Sequence, residues 1–230
     1  MYQQIIRELE RYARPEKVNI LSSFFKTGKG EYGEGDQFIG VSVPDQRIVA
    51  KQFKSATFSE VKKLLASKIH EHRLTALLIL TYQFASATTK EQEDIVHFYL
   101  ANATRANNWD LVDCSAGILG KWLLDKERTI LYTLAKSANL WERRISIVAT
   151  HQFIKHKQFE DIFSLAKIHL SDTHDLMHKA VGWMLREVGK QDEKALTTFL
   201  EQHINVLPRT TLRYAIERFE ETKRMSFLKR

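Results

Sequence analysis

Apolar residues along this chain recur three and four positions apart almost from end to end, the spacing of one buried face of an α-helix. Near the N-terminus Ile5, Ile6, Leu9 and Tyr12 share such a face over residues 3–13, and Pro15 ends that helix. The pattern predicts a second helix over 16–26 and a third over 44–54, with Pro44 in its first turn. Thr57 with Glu60, and Thr88 with Glu91, have capping-box spacing and open two more. Helix-period stretches follow over 70–85, 89–104, 109–122, 127–136, 140–156, 159–170, 174–189, 192–203 and 209–219. Between the second and third helices lies Thr27-Gly-Lys-Gly-Glu-Tyr-Gly-Glu-Gly-Asp36, read as a flexible surface loop.

The connections are short, which favours antiparallel neighbours. Stretches of one kind return roughly every 35–40 residues, the period of paired-helix repeats. Leu74-Thr-Ala-Leu-Leu-Ile-Leu, Arg143-Arg-Ile-Ser-Ile-Val-Ala and His178-Lys-Ala-Val-Gly-Trp-Met-Leu-Arg each have a basic start and an apolar, small-residue middle. The expectation is an all-α fold, an α-solenoid of HEAT-like helical repeats whose concave face is a natural ligand surface. Residues 1–230 are read as a single domain. Only 3 Pro and 9 Gly occur, and five of the Gly fall between Gly28 and Gly40, which argues against a turn-rich β-sandwich or barrel.

One cysteine, Cys114, excludes an internal disulfide framework and a multi-cysteine zinc site. The longest apolar run, Ala76-Leu-Leu-Ile-Leu, is far short of the ~20 residues of a membrane span, and the charged N-terminus is no signal peptide. These features predict a soluble, cytoplasmic protein with no membrane partner. The charge adds a direction. Of 35 Lys+Arg against 28 Asp+Glu, nearly all the excess lies after residue 120. Composition alone leaves two readings open, ordinary solubility charge or an electropositive face for a polyanion.

Most candidate chemistry reads as structure. The glycine-rich loop lacks the Gly-Lys-Ser/Thr ending and the preceding strand of a phosphate-binding loop. His174 and His178 can share a helix face but lack a third ligand, and His70-Glu71-His72 is a weaker metal candidate still. Cys114 sits among Val112, Ala116 and Ile118 and reads as a core cysteine. Trp122 and Trp141 read as core tryptophans.

Asn107-Asn-Trp-Asp-Leu-Val-Asp113 is more informative. Trp109 and Asp113, four apart, stand on one helix face, and Asp110 falls off it. A π-face beside a carboxylate attracts a cation; the alternative is a helix start with Asp110 at its positive end and Asp113 in a structural ion pair. Arg143 and Arg144 point about 100° apart on a helix, so one can pair with an acid while the other faces a groove. Gly182 beside Trp183 inside a helix fits either close packing or ligand approach.

Taken together, four stretches resemble the AlkD family of DNA alkylation repair glycosylases. They are Asn-Asn-Trp-Asp-Leu-Val-Asp (107–113), Leu-Trp-Glu-Arg-Arg-Ile (140–145), His-Lys-Ala-Val-Gly-Trp-Met-Leu-Arg-Glu-Val-Gly-Lys (178–190) and Pro-Arg-Thr-Thr-Leu-Arg-Tyr-Ala-Ile-Glu-Arg-Phe (208–219). Phe38-Ile-Gly-Val-Ser-Val-Pro-Asp-Gln-Arg47 is similar to the family's N-terminal segment. The resemblance spans nearly the whole chain. It implies a HEAT-like repeat fold that holds duplex DNA on a concave basic face and excises cationic N3- or N7-alkylated purines as a monofunctional glycosylase, without an enclosing base pocket. It implies that Trp109, Asp113 and Trp183 form the catalytic cluster and that Arg144 and Arg186 contact DNA. It further implies a monomer working on double-stranded DNA with no cofactor. Where the family pattern carries a Tyr in the second helix, this chain has Phe24-Phe25, which keeps an aromatic surface without the hydroxyl. The competing expectations are a non-catalytic helical-repeat scaffold and a binder of unusual DNA structures.

Overall fold

The computed structural model describes residues 1–229, which form two compact units, the first Met1–Ile118 and the second beginning at Leu119. The first holds α1 (Tyr2–Arg11), a 3₁₀ turn (Pro15–Lys17), α2 (Val18–Phe24), α3 (Val43–Gln52), α4 (Phe58–Leu65), α5 (His70–Ser86), α6 (Thr89–Ala101) and α7 (Trp109–Ser115). The chain enters the second unit within α8 (Gly117–Trp122). There follow α9 (Thr129–Ala135), α10 (Leu140–Ala149), α11 (His151–Lys155), α12 (Glu160–Ile168), α13 (Asp175–Gln191), α14 (Glu193–His203), α15 (Arg209–Ala215) and α16 (Glu221–Leu228). Among the described residues the one β feature is an isolated parallel bridge, Gln37 to Ile69.

Each unit is organised by one helix of 17 residues. In the first, α5 is buried at every residue from His70 to Leu80 and packs against α3, α4, α6 and α7. A helix apolar all round belongs inside a protein, and Leu77, Leu78, Ile79 and Leu80 are nearly or wholly sealed from solvent. Burying such side chains stabilises by about 1.5–3 kcal/mol each. The first four residues of the same buried stretch, His70-Glu71-His72-Arg73, are polar, and their partners decide the geometry of the candidate site.

In the second unit α13 packs against α10, α11, α12, α14 and α15. Its buried positions, Met177, Ala180, Val181, Met184, Leu185 and Val188, follow the three–four spacing. Gly182 is buried as well, on the side of α13 that meets α15. A Cβ there would stand 2.5 Å from the Tyr214 Cβ and 2.7 Å from the Thr211 carbonyl oxygen. Packing of α13 on α15 explains this glycine, and no ligand is needed.

Both capping boxes form as expected, with Thr57 and Glu60 opening α4 and Thr88 and Glu91 opening α6. The structure departs from the expected boundaries at four places. The 109–122 stretch divides after Ser115, whose hydroxyl donates to the Leu111 carbonyl at 2.6 Å. The 140–156 stretch divides at Thr150, whose hydroxyl donates to the Ile147 carbonyl at 2.6 Å. In both, a side-chain hydroxyl competes for carbonyls of the helix ladder. The second helix begins late, after the Pro15 turn, and ends before Lys26, which takes φ 55°. A last helix, α16, lies beyond the expected end; the Glu220 carboxylate caps it by accepting from the amides of Thr222 and Lys223.

Gly182→Ala should destabilise the protein by about 1–3 kcal/mol, the scale of overpacking a filled interior. A thermal melt checks this, and an unchanged midpoint would show that α13 and α15 can part freely.

Candidate active site

The candidate site starts from α7. Asn108 caps this helix with its side-chain oxygen on the Trp109 amide, 2.8 Å away. Trp109 and Asp113, one turn apart, both line a cavity of about 420 Å³ in the first unit. Its walls include Phe24, Phe25, Phe38, His70, Asp110 and Cys114. The Phe25 ring stacks on Trp109 at 5.2 Å between centroids, and Phe24 meets Trp109 edge-on at 5.7 Å. Phe24 is 59% exposed and stands at the mouth; Phe25 is buried. A cavity walled by π-faces and furnished with carboxylates suits a flat cation. Cys114 accepts a weak hydrogen bond from Arg47, and burial raises its thiol above the ordinary range.

Behind the aromatic wall lies a charged cluster. His70, the first residue of α5, points Nδ1 at the Asp36 carboxylate, 2.9 Å away, and Nε2 at the Asp110 carboxylate, 2.8 Å away. Since both ring nitrogens face carboxylates, both carry a proton. The imidazolium side chain is 2% exposed. Burial alone would lower its pKa, but the hydrogen bonds and charges of Asp110 and Asp36 outweigh burial and push it up to about 9. Asp36 also pairs with Arg73 at 2.6 Å. Burial works against the Asp36 anion, yet His70 and Arg73 hold its carboxyl below the usual range. Arg73 is itself fully engaged, donating to Asn107 Oδ1 and to the Ser67 carbonyl.

Glu71 completes the motif. Its carboxylate accepts from the amides of Ile39, Gly40 and Val41 at 2.8–3.2 Å, and burial raises its pKa despite those donors. His70, Glu71 and Arg73 thus fasten α5 to the loop before α3 and to α7. The glycine-rich segment, expected to be a flexible surface loop, is tied down at its end by the buried Asp36 side chain. Gly33 permits this: a Cβ there would lie 2.3 Å from the Phe25 carbonyl oxygen and 3.3 Å from Asn108 Nδ2. Sequence reasoning treated His70-Glu71-His72 only as a weak metal motif. The available signal was a run of four polar residues at the head of an apolar helical stretch.

The other expected site residues lie in the second unit. Trp183 on α13 is half-buried, and its indole N–H donates to Glu187 Oε1 at 3.1 Å. Lys190 pairs with the same carboxylate at 2.7 Å, and the His151 ring lies tilted 6.1 Å from Trp183. Arg186 pairs with Glu217. Arg144 on α10 is buried and donates to the Leu176 carbonyl at 2.6 Å. Its neighbour Arg143 takes the acid, pairing with Asp172 at 2.8 Å. Trp141 is buried as expected, whereas Trp122 is half-buried with Lys126 Nζ 4.2 Å above its ring. His174 accepts from the Leu176 amide and His178 Nε2 donates to the Asp172 carbonyl. Among the described residues no group of three or more His, Cys, Asp or Glu side chains could hold a metal ion.

One family model, described as DNA alkylation repair enzyme, matches residues 5–219. The chain belongs to this family. All the candidate site residues lie inside the matched span. No curated protein matches it in sequence. Among solved structures it is similar to a predicted DNA alkylation repair enzyme from Enterococcus faecalis, with a TM-score of 0.71 and 16% identity over 91% of this chain and 97% of that one. At that identity the likeness is one of fold, an all-α helical repeat architecture. The family places this protein in the repair of alkylated DNA. Among the described residues no helix is long and apolar enough to cross a membrane.

The His70 cluster carries a pH dependence. A group whose pKa rises on folding, here from 6.5 to about 9, stabilises the protein fully below its unfolded value and loses that contribution as pH rises through the folded one. The melting midpoint should therefore fall between pH 6.5 and 9.5, and fall less in His70→Gln. Equal slopes for the two proteins would show that the imidazolium contributes nothing.

Proposed function

We propose that this protein is a monofunctional DNA glycosylase that hydrolyses the N-glycosidic bond of cationic N3- or N7-alkylated purines in duplex DNA. The observation that carries the reading is the placement of Trp109 and Asp113 on the wall of one aromatic cavity, in a chain of the DNA alkylation repair enzyme family. The resemblance extends the assignment to the whole chain, 1–230, as one HEAT-like repeat domain acting on DNA as a cytoplasmic monomer.

The chemistry suits these side chains. An alkylated purine already bears a positive charge, so its bond to C1′ is weakened and the base leaves neutral, with no general acid required. The electrons of the C1′–N bond go to the base, and the sugar passes through an oxocarbenium-like transition state. Asp113 stabilises that cation and orients the water that attacks C1′; the water's proton passes to the carboxylate or to solvent. The resemblance assigns Trp109 and Trp183 to the cationic sugar and lesion, and an indole ring offers such a cation its π-face. Arg144 and Arg186 are assigned to the DNA backbone, where a guanidinium binds phosphate in bidentate fashion. In the free protein both are engaged with protein groups, so phosphate contact requires an exchange of partners. No step calls for a metal or redox cofactor, and no lysine is assigned a Schiff base, so the product is an abasic site in an unbroken strand.

The test is incubation with duplex DNA holding one 7-methylguanine, followed by detection of abasic sites. Release above the spontaneous rate is expected; its absence would leave the scaffold or DNA-structure-binding readings. Asp113→Asn should slow excision by about a hundredfold to a thousandfold, the scale of removing one preorganised electrostatic stabiliser, while most DNA affinity survives. An unfolded Asp113→Asn protein would make Asp113 structural instead. DNA affinity should also fall steeply with salt, because Lys and Arg contacts release counterions. A complex holding about six to ten phosphates loses roughly 10³- to 10⁵-fold between about 50 and 200 mM salt. A flat response in titrations would contradict a basic DNA surface.

A further inference from the structure

The buried Asp36–His70–Asp110 cluster has more structure than packing requires. Three polar segments distant in sequence converge on one imidazole: the end of the glycine-rich loop, the head of α5 and the first turn of α7. Two routes lead from that imidazole to Trp109. One is covalent, since Asp110 follows Trp109 in α7. The other is through rings: His70 lies 4.7 Å from both Phe25 and Phe38, and Phe25 stacks on Trp109. The Asp110 carboxylate depends on this contact, because its other oxygen, Oδ1, is buried with no hydrogen-bond partner. Without the imidazolium, α7 would carry a buried anion without a donor in its first turn, and such a group drives local rearrangement.

We propose that His70 is a positioning residue for base excision, its doubly hydrogen-bonded imidazolium setting the placement of Trp109 and Asp113 through Asp110 and Phe25. The proposal rests on the glycosylase reading for its kinetic part and stands apart from it for its structural part. His70 touches neither lesion nor water in this scheme; it acts on chemistry by fixing the helix that does. The charged and titratable groups around it are Asp36 from the loop, Glu71, His72 and Arg73 from α5, Asp110, Asp113 and Cys114 from α7, and Lys17 on the cavity wall. Among the acids, Asp36 and Asp110 bond the ring itself. When the imidazolium loses its proton, one of those two carboxylates loses its donor, so Trp109 should shift as pH rises through about 9.

The experiment labels the protein with 5-fluorotryptophan and assigns the Trp109 resonance by its loss in Trp109→Phe. In the wild type that ¹⁹F resonance should move with a midpoint near pH 9, and in His70→Gln, which keeps a donor toward one carboxylate, it should stay flat over that range. Cys114→Ser should preserve the transition, which separates the imidazolium from the nearby thiol. In single-turnover excision, His70→Ala should lower the rate roughly tenfold to a hundredfold, the cost of misplacing catalytic groups by a fraction of an ångström to about 1 Å. Its DNA dissociation constant should stay within about threefold, and His70→Gln should recover part of the rate. If His70→Ala fails to fold, Asp110→Asn serves in its place, and its Trp109 transition should move to lower pH because one of the two charges raising the pKa is gone. A Trp109 resonance indifferent to pH in the wild type, or an unchanged excision rate in a folded His70→Ala protein, would overturn the proposal. A wild type that excises nothing would sink the glycosylase reading alone, and the Trp109 titration would still decide the positioning role.

Discussion

A charge buried without partners is among the costliest things a protein can contain, and a charge buried with them is among the most directional. The imidazolium of His70 is of the second kind. Two carboxylates claim its two N–H groups, and a guanidinium claims the free side of one of them. Hydrophobic packing would tolerate small rotations of α7 against α5. This arrangement does not, because any rotation separates an ion from its only donor. The aromatic wall of the cavity inherits that rigidity, since Phe38 stacks on the same ring and Phe25 lies tilted against it.

The second unit shows a different use of polar groups. Around Trp183 the carboxylate of Glu187 receives the indole N–H on one side and Lys190 on the other, and these groups are more open to solvent than His70. Partners in such surroundings exchange at little cost. The first unit thus fixes its aromatic residue by buried charge, and the second holds its own by contacts more open to solvent.

The helices and several of their ends were legible in the sequence because they depend on neighbours within one turn. The Thr57 and Thr88 caps are local devices, and neither the long apolar run of α5 nor the three–four spacing of α13 needs knowledge of the rest of the chain. Breaks at Ser115 and Thr150 were missed because a hydroxyl can point to solvent or back to a carbonyl, and only packing selects. Trp109 and Asp113 could be singled out because they lie one turn apart on a recognisable motif, and the structure places both on one cavity. The cluster behind them was not, since Asp36, His70 and Asp110 are separated by 34 and 40 positions. Nothing in His70-Glu71-His72-Arg73 alone reveals that its partners are carboxylates and backbone amides rather than a metal. The second helix shows the opposite case: its Phe24-Phe25 pair was visible at once, but only the structure separates an exposed ring at the mouth from a buried one in the wall.

The route from His70 through Asp110 to Trp109 means that α7 is not a portable part. A transplanted Asn-Asn-Trp-Asp-Leu-Val-Asp segment would carry its tryptophan and both acids into a new host, but Asp110 would arrive as a buried anion with nothing to receive it. The host would need a matching head on its central helix and a loop that delivers a second acid. Residues 36, 70, 73, 107 and 110 are therefore one bonded unit spread over five addresses. Among relatives they should be gained, lost or replaced together, even where the residues between them drift freely.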